Sequence, residues 1–204
     1  SGEGAHLCGG GDLRRLAQQR ARPAAEQAAH LDALHDWVMA IREAPQPVIA
    51  AVEGAAAGGG FSLCLACDLI VAAEDARFVM SYAAVALSPD GGGSDALART
   101  LPPQAALELL LDASPCSAQR LHDWGIVNRV VPRGTAVTAA LAWAQRLAAG
   151  PRAAQAAIKS LVHAAAGRSR REQLDAERDA FVDNLYRDEC GVAIEGFLTR
   201  SRRS

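Results

Sequence analysis

Apolar positions change period several times along the chain, and each change predicts an element. Between Ala24 and Arg42, Leu31, Leu34, Val38 and Ile41 recur at helical spacing, and Pro45 and Pro47 close that helix. The continuous apolar run Val48–Val52 predicts a buried strand. A second strand is predicted at Leu69–Ala73, a third at Arg77–Met80 and a last one at Ile126–Val131. Between the first two lie a small-residue loop, Gly54–Gly60, and a short helix, Phe61–Cys67. Pro89-Asp90-Gly91-Gly92-Gly93 marks a turn, and helices are expected at Ser94–Arg99, Pro103–Asp112 and Ser117–Trp124. Beyond Gly134 the pattern is helical throughout: Thr135–Ala149, Ala153–Ala165, Glu172–Leu185 and a last piece near Ala193–Arg200. At the other end, Gly2-Glu3-Gly4 reads as a turn. His6-Leu7-Cys8 reads as the end of a strand, as though further strands preceded it, and Asp12 to Pro23 is a polar stretch rich in Gln and Arg. Strands alternating with helices and followed by a helical tail predict an α/β core over residues 1–132 and a helical C-terminal region over residues 133–204.

Composition narrows the class. With 204 residues, 50% apolar and 22% charged, the chain suits one folded domain with a helical appendage, and disorder is excluded as its main state. A net charge of −2 argues against a generic nucleic-acid or anionic-membrane surface. Among 21 basic residues one is lysine, Lys159, so anions are met mostly by arginine. The longest stretch without Asp, Glu, Lys or Arg, Gly54–Cys67, has 14 residues, where a spanning helix needs about 20. The polar start Ser1-Gly2-Glu3-Gly4 is unlike a signal peptide. Five cysteines without disulfide-framework spacing suit a reducing compartment, so a cytoplasmic protein is expected.

Three glycine triplets are the first candidates for chemistry: Gly9–Gly11, Gly58–Gly60 and Gly91–Gly93. Glycine lets a ligand approach the backbone and leaves N–H groups available to it. The second triplet sits between a strand and a helix, where the helix N-terminus favours negative charge. Neither nucleotide-loop pattern fits it: GxGxxG would need glycine at Leu63, and GxxxxGK would need lysine at Gly60. Ser62 resembles an elbow nucleophile, but Cys64 stands where GxSxG needs glycine, and a satisfied helix serine is the better reading. Cys64 and Cys67 read as small core residues, with no second CxxC and no ligand spacing among the histidines, so no metal is assigned. Asp90 taken alone fits turn chemistry.

The order of these features resembles the crotonase (enoyl-CoA hydratase/isomerase) superfamily. The resemblance rests on Leu7-Cys8-Gly9-Gly10-Gly11-Asp12-Leu13, then Pro47–Gly60, Leu65–Ala72, Ala76-Arg77-Phe78 and Leu87-Ser88-Pro89-Asp90-Gly91-Gly92. It resumes at Ser117-Ala118-Gln119-Arg120, Gly125–Val131 and Ala157-Ile158-Lys159. It implies a crotonase-like ββα-spiral core, an acyl-CoA thioester as substrate and partner, and no cofactor beyond the CoA that the substrate carries. It also implies a homotrimer or a dimer of trimers. By position, it makes the backbone N–H groups of Gly9 and Gly59 an oxyanion hole for the enolate formed when a thioester loses its α-proton. It places Cys8, Gly10, Gly11, Asp12, Leu13 and Tyr82 around substrate, and Lys159 and Phe197 in the region that meets CoA.

Two departures from the family matter. Hydratases of this family carry two glutamates that activate and position a water, and these would fall at Ser62 and Tyr82. Neither residue is a carboxylate base near neutral pH. Asp90 stands where certain family isomerases and an aromatic acyl-CoA dehalogenase carry an aspartate, so the resemblance makes it the base. Three readings stand at this point: double-bond isomerisation of an enoyl-CoA, a non-catalytic acyl-CoA-binding or assembly subunit, and hydration by atypical groups such as Tyr82. The second departure is at the front, where family members carry strands before the first glycine loop.

Overall fold

The computed structural model describes residues 1–201, with side chains described as far as Thr199. The elements are, in chain order, α1 (Leu13–Gln19), α2 (Ala24–Glu43), β1 (Ile49–Val52), β2 (Ala55–Ala57), α3 (Gly59–Ala66), β3 (Leu69–Ala73) and β4 (Arg77–Val79). A 3₁₀ turn (Ala83–Val85) precedes α4 (Gly93–Thr100), α5 (Pro103–Asp112), β5 (Cys116–Ser117), α6 (Ala118–Asp123) and β6 (Arg129–Val131). Then come α7 (Ala136–Ala148), α8 (Arg152–Ala165), α9 (Arg170–Leu185) and α10 (Asp188–Ser201).

A strand–strand–helix unit occurs twice in succession. β1 enters one sheet, the chain bends at Gly54, β2 enters a second sheet, and α3 follows. β3, β4 and α4 then trace the same path beside it: β3 pairs parallel with β1, and β4 pairs parallel with β2. β6 completes the first sheet in the order β1-β3-β6, and the short antiparallel β5 completes the second in the order β2-β4-β5. This is the ββα spiral expected from the resemblance. Because both repeats run parallel, equivalent strand ends fall side by side, and the loops after β2 and β4 lie next to one another.

The core between the layers is built around Phe61, Phe78, Met80, Leu97 and Leu121, all fully buried. The rings of Phe61 and Phe78 lie 5.0 Å apart between centroids, tilted at 58°. α3 carries buried residues on every side (Gly60, Phe61, Ser62, Cys64 and Ala66), as a helix that is apolar all round must. Cys64 is thus a core thiol, as the sequence suggests, and Cys67 is half-buried at the helix end.

Several elements differ from expectation. The polar stretch after Asp12 is a helix, α1, because Asp12 caps it by accepting from the N–H groups of Arg14 (2.8 Å) and Arg15 (3.4 Å). The loop Gly54–Gly60 contains β2, whose three alanines carry no β-propensity but fit the close approach of the first glycine triplet: Cys8 bridges to Ala56 in parallel. The last strand is shorter than predicted: Asn128 donates its N–H to the Ile70 carbonyl at 2.9 Å, but its side chain, not its backbone carbonyl, accepts from the N–H of Ile70 at 2.7 Å.

The described residues fall into two compact units. One comprises Ser1–Ala44 and Val48–Ala144, and the other comprises Pro45–Pro47 and the chain from Gln145 onward. The first holds both sheets. In the second, α9 opens with a capping box between Ser169 and Glu172.

Candidate active site

The first glycine triplet meets the second. The parallel bridge between Cys8 and Ala56 is closed by Ala57 N–H donating to the Cys8 carbonyl at 2.9 Å. A Cβ added to Gly10 would lie 2.7 Å from the carbonyl oxygen of Ala57 and 3.3 Å from the nitrogen of Gly59. One added to Gly60 would lie 2.6 Å from the carbonyl oxygen of Cys8. Both positions demand glycine for steric reasons. Gly10 and Gly58 also have positive φ, at 85° and 50°.

Gly9 and Gly59 differ from these neighbours. A Cβ on Gly9 would meet nothing within 4 Å. Gly59 opens α3, where the helix leaves its first N–H groups without intrahelical partners. Among the described residues, neither Gly9 N–H nor Gly59 N–H donates to a protein acceptor. Two backbone donors, one at the positive end of a buried helix, are therefore available to an anion or a polarised carbonyl.

Asp90 faces the same place. A Cβ on Gly59 would lie 3.7 Å from Asp90 Oδ1 and 4.0 Å from the Tyr82 hydroxyl. The Asp90 turn is shaped by Gly91 and Gly92 with φ of 58° and 78°, and its carbonyl accepts from Gly93 N–H at 3.2 Å to start α4. Tyr82 donates to Asp90 Oδ1 at 2.6 Å, and Ser62 Oγ lies 3.2 Å from the Tyr82 oxygen. Ser62 and Tyr82 are buried, with 1% and 7% of their surface exposed, whereas Asp90 is half-buried at the edge of the site. Burial, and then donation to Asp90, push the Tyr82 phenol well above its ordinary range, so it stays protonated.

Position 62 has no room for a long side chain. Cβ atoms added to Gly91 and Gly93 would lie 3.2 Å from Ser62 Cβ and 2.6 Å from Ser62 Oγ respectively, so the start of α4 rests directly on this serine. Ser62 is the satisfied helix serine that the sequence suggested. Its partner Tyr82 is not legible in the sequence, because β3 and β4 lie between the two.

The remaining predicted residues take varied places. Cys8 is half-buried, and its Sγ accepts from Gly10 N–H at 3.4 Å. Gly11 and Leu13 are exposed, and Asp12 is the α1 cap. Lys159 and Phe197 belong to the second unit. Lys159 is buried, unlike the solvated lysine usual on a helix, and its Nζ donates to the carbonyl of Gln46 at 3.1 Å. Phe197 is exposed on α10.

A parallel ββα spiral in which a glycine at a helix start faces a carboxylate turn defines a class of fold and site, and known proteins similar to this chain belong to it. The family model for enoyl-CoA hydratase/isomerase matches residues 1–203, and the chain belongs to that family, within the crotonase superfamily. Over 180 residues it is 34% identical to a 1,2-epoxyphenylacetyl-CoA isomerase of Escherichia coli (strain K12), covering 88% of this chain and 69% of that protein. Over 119 residues it is 43% identical to a carnitinyl-CoA dehydratase of Salmonella typhi, covering 58% of this chain and 46% of that protein, about half its length. The crystal structure of an enoyl-CoA hydratase from Polaromonas sp. JS666 superposes with a TM-score of 0.96 at 52% identity, covering 97% of this chain and 77% of that one. Among the described residues, no helix is long and apolar enough to cross a membrane.

Proposed function

We propose that the chain isomerises the double bond of an enoyl-CoA, with Asp90 as the base and the N–H groups of Gly9 and Gly59 as the oxyanion hole. The observation that carries this reading is the facing of Gly59 and Asp90 across 3.7 Å of added Cβ, with Tyr82 seated on the carboxylate. A β,γ-enoyl thioester bound with its carbonyl oxygen on the two N–H groups presents its α-carbon to Asp90. The carboxylate takes the α-proton, the C–H electron pair enters the carbonyl, and the resulting dienolate is held by the two donors. The same carboxyl group then returns the proton at the γ-carbon, which leaves the double bond in conjugation and regenerates the carboxylate. One base and one oxyanion hole suffice, and no cofactor enters beyond the CoA of the substrate.

Hydration is disfavoured by the same geometry. Where the two water-handling glutamates would fall stand Ser62 and Tyr82, both buried, bonded to each other and packed under the α4 turn. The homotrimer or dimer of trimers that the resemblance implies belongs to this proposal. It is supported by large apolar side chains left exposed in the second unit, among them Phe181, Tyr186 and Phe197.

Asp90→Asn tests the reading. The amide cannot accept the proton, so conversion of β,γ- to α,β-enoyl-CoA, followed by the absorbance of the conjugated product, is expected to fall by about 10²–10⁴-fold. Unchanged turnover in the variant overturns the assignment.

A further inference from the structure

The hydroxyl of Tyr82 has one hydrogen, and the 2.6 Å contact commits it to Asp90 Oδ1. The Ser62 hydroxyl, 3.2 Å away, must then be the donor of its own bond to Tyr82. The three groups form a directed chain, Ser62 to Tyr82 to Asp90, in which each donation strengthens the next. Its inner members are buried and its outer member faces Gly59.

We propose that Tyr82 is the positioning residue of this site: held by Ser62, it fixes the orientation of Asp90 so that the carboxylate can carry the proton between the two carbons. This inference rests on Asp90 being the base. The backbone of the Asp90 turn is held by Gly91 on Ser62 and by the Gly93 N–H, but an aspartate side chain still has two torsions of its own. Proton transfer at two carbons of one chain needs its oxygen at a fixed height over both. Tyr82 supplies the restraint through its bond to Oδ1, the oxygen that faces Gly59. Burial keeps the phenol protonated, so it acts as a donor and not as a base.

Three variants assayed with a β,γ-enoyl-CoA beside the wild type and Asp90→Asn decide the point. Tyr82→Phe keeps the ring and removes only the hydroxyl. Its kcat is expected to fall about ten- to a hundredfold, as for a reacting group displaced by a fraction of an ångström to 1 Å, with KM unchanged. A ring-fluorinated tyrosine at the same position keeps the donor and is expected to restore kcat. Ser62→Ala leaves the Tyr82–Asp90 bond in place and is expected to cost less than Tyr82→Phe. Melting temperatures separate loss of positioning from loss of fold. Wild-type kcat in Tyr82→Phe, with Asp90→Asn inactive, overturns the positioning role and leaves the base assignment standing. A rise in KM with kcat retained also overturns it. Full activity in Asp90→Asn removes both.

Discussion

At the scale of single residues, neighbouring glycines do different work. Gly60 is required by packing, because a side chain there would run into the backbone of Cys8 at 2.6 Å. Gly59 is not required by packing, because its Cβ would meet only ordinary contacts, 3.7 Å from Asp90 Oδ1, and the proposed reaction needs that space for the thioester. Gly60→Ala is therefore expected to lose about 1–3 kcal/mol of stability, as overpacked sites do. Gly59→Ala is expected to fold as well as the wild type, alanine being the better helix former, while turnover collapses. Urea melts and isomerase assays on the pair check this, and a stable, active Gly59→Ala would remove Gly59 from the site. Titration adds a second residue-scale expectation. Desolvation raises the Cys64 thiol and the Tyr82 phenol above their ordinary values of 9.0 and 10.0. The unfolded chain therefore releases these protons first. The stability contributed by the two neutral groups is complete below those values and is lost as pH rises through and beyond them. The urea midpoint is expected to fall on the alkaline side of pH about 9, less steeply in Tyr82→Phe, and a flat alkaline limb would contradict the burial of both groups.

At the scale of elements, much was legible. The pattern predicts β3 to its ends, and α5 likewise, because a short apolar run between charged neighbours, or a start at Pro102-Pro103 with Pro115 just beyond the end, admits few alternatives. The proposed oxyanion pair rests on the resemblance: Gly9 and Gly59 look like their neighbours in sequence, and the difference lies in what a Cβ would meet. The chain from Ser62 to Asp90 was not legible at all. Tyr82 reaches Asp90 because the 3₁₀ turn Ala83–Val85 and the left-handed Ala86 (φ 57°) fold the segment back, and alanine gives no signal of either. The buried Lys159 escaped for a like reason, since its carbonyl partner at Gln46 is distant in sequence. The contact between α3 and the start of α4 yields a further prediction. Gly93→Ala would press on Ser62 Oγ at 2.6 Å and on Met80 Cε at 3.1 Å, and is expected to cost about 1–3 kcal/mol. Ser62→Ala removes the nearer atom, so the double variant should be more stable than the two single effects added together. Strict additivity in that cycle would contradict direct packing of α4 on Ser62.

At the scale of the molecule, two tandem ββα units place two glycine loops against each other and a carboxylate turn across from them. In the proposed reaction the sheets supply the alignment, the helix end and the first triplet supply the donors, and the turn before α4 supplies the base. Family membership gives the class of reaction, and the replacement of both water-handling glutamates by a bonded serine and tyrosine turns the reading from hydration toward proton transfer. The measurement that tests this most directly is deuterium incorporation at the α-carbon of a saturated acyl-CoA in D₂O, read by mass spectrometry. Such a substrate has no double bond to move or hydrate, so it reports only the oxyanion hole and the base acting together. The account predicts exchange well above the enzyme-free rate, abolished by Asp90→Asn. No exchange in the folded protein, with the thioester bound, would contradict it and make this chain an acyl-CoA-binding subunit.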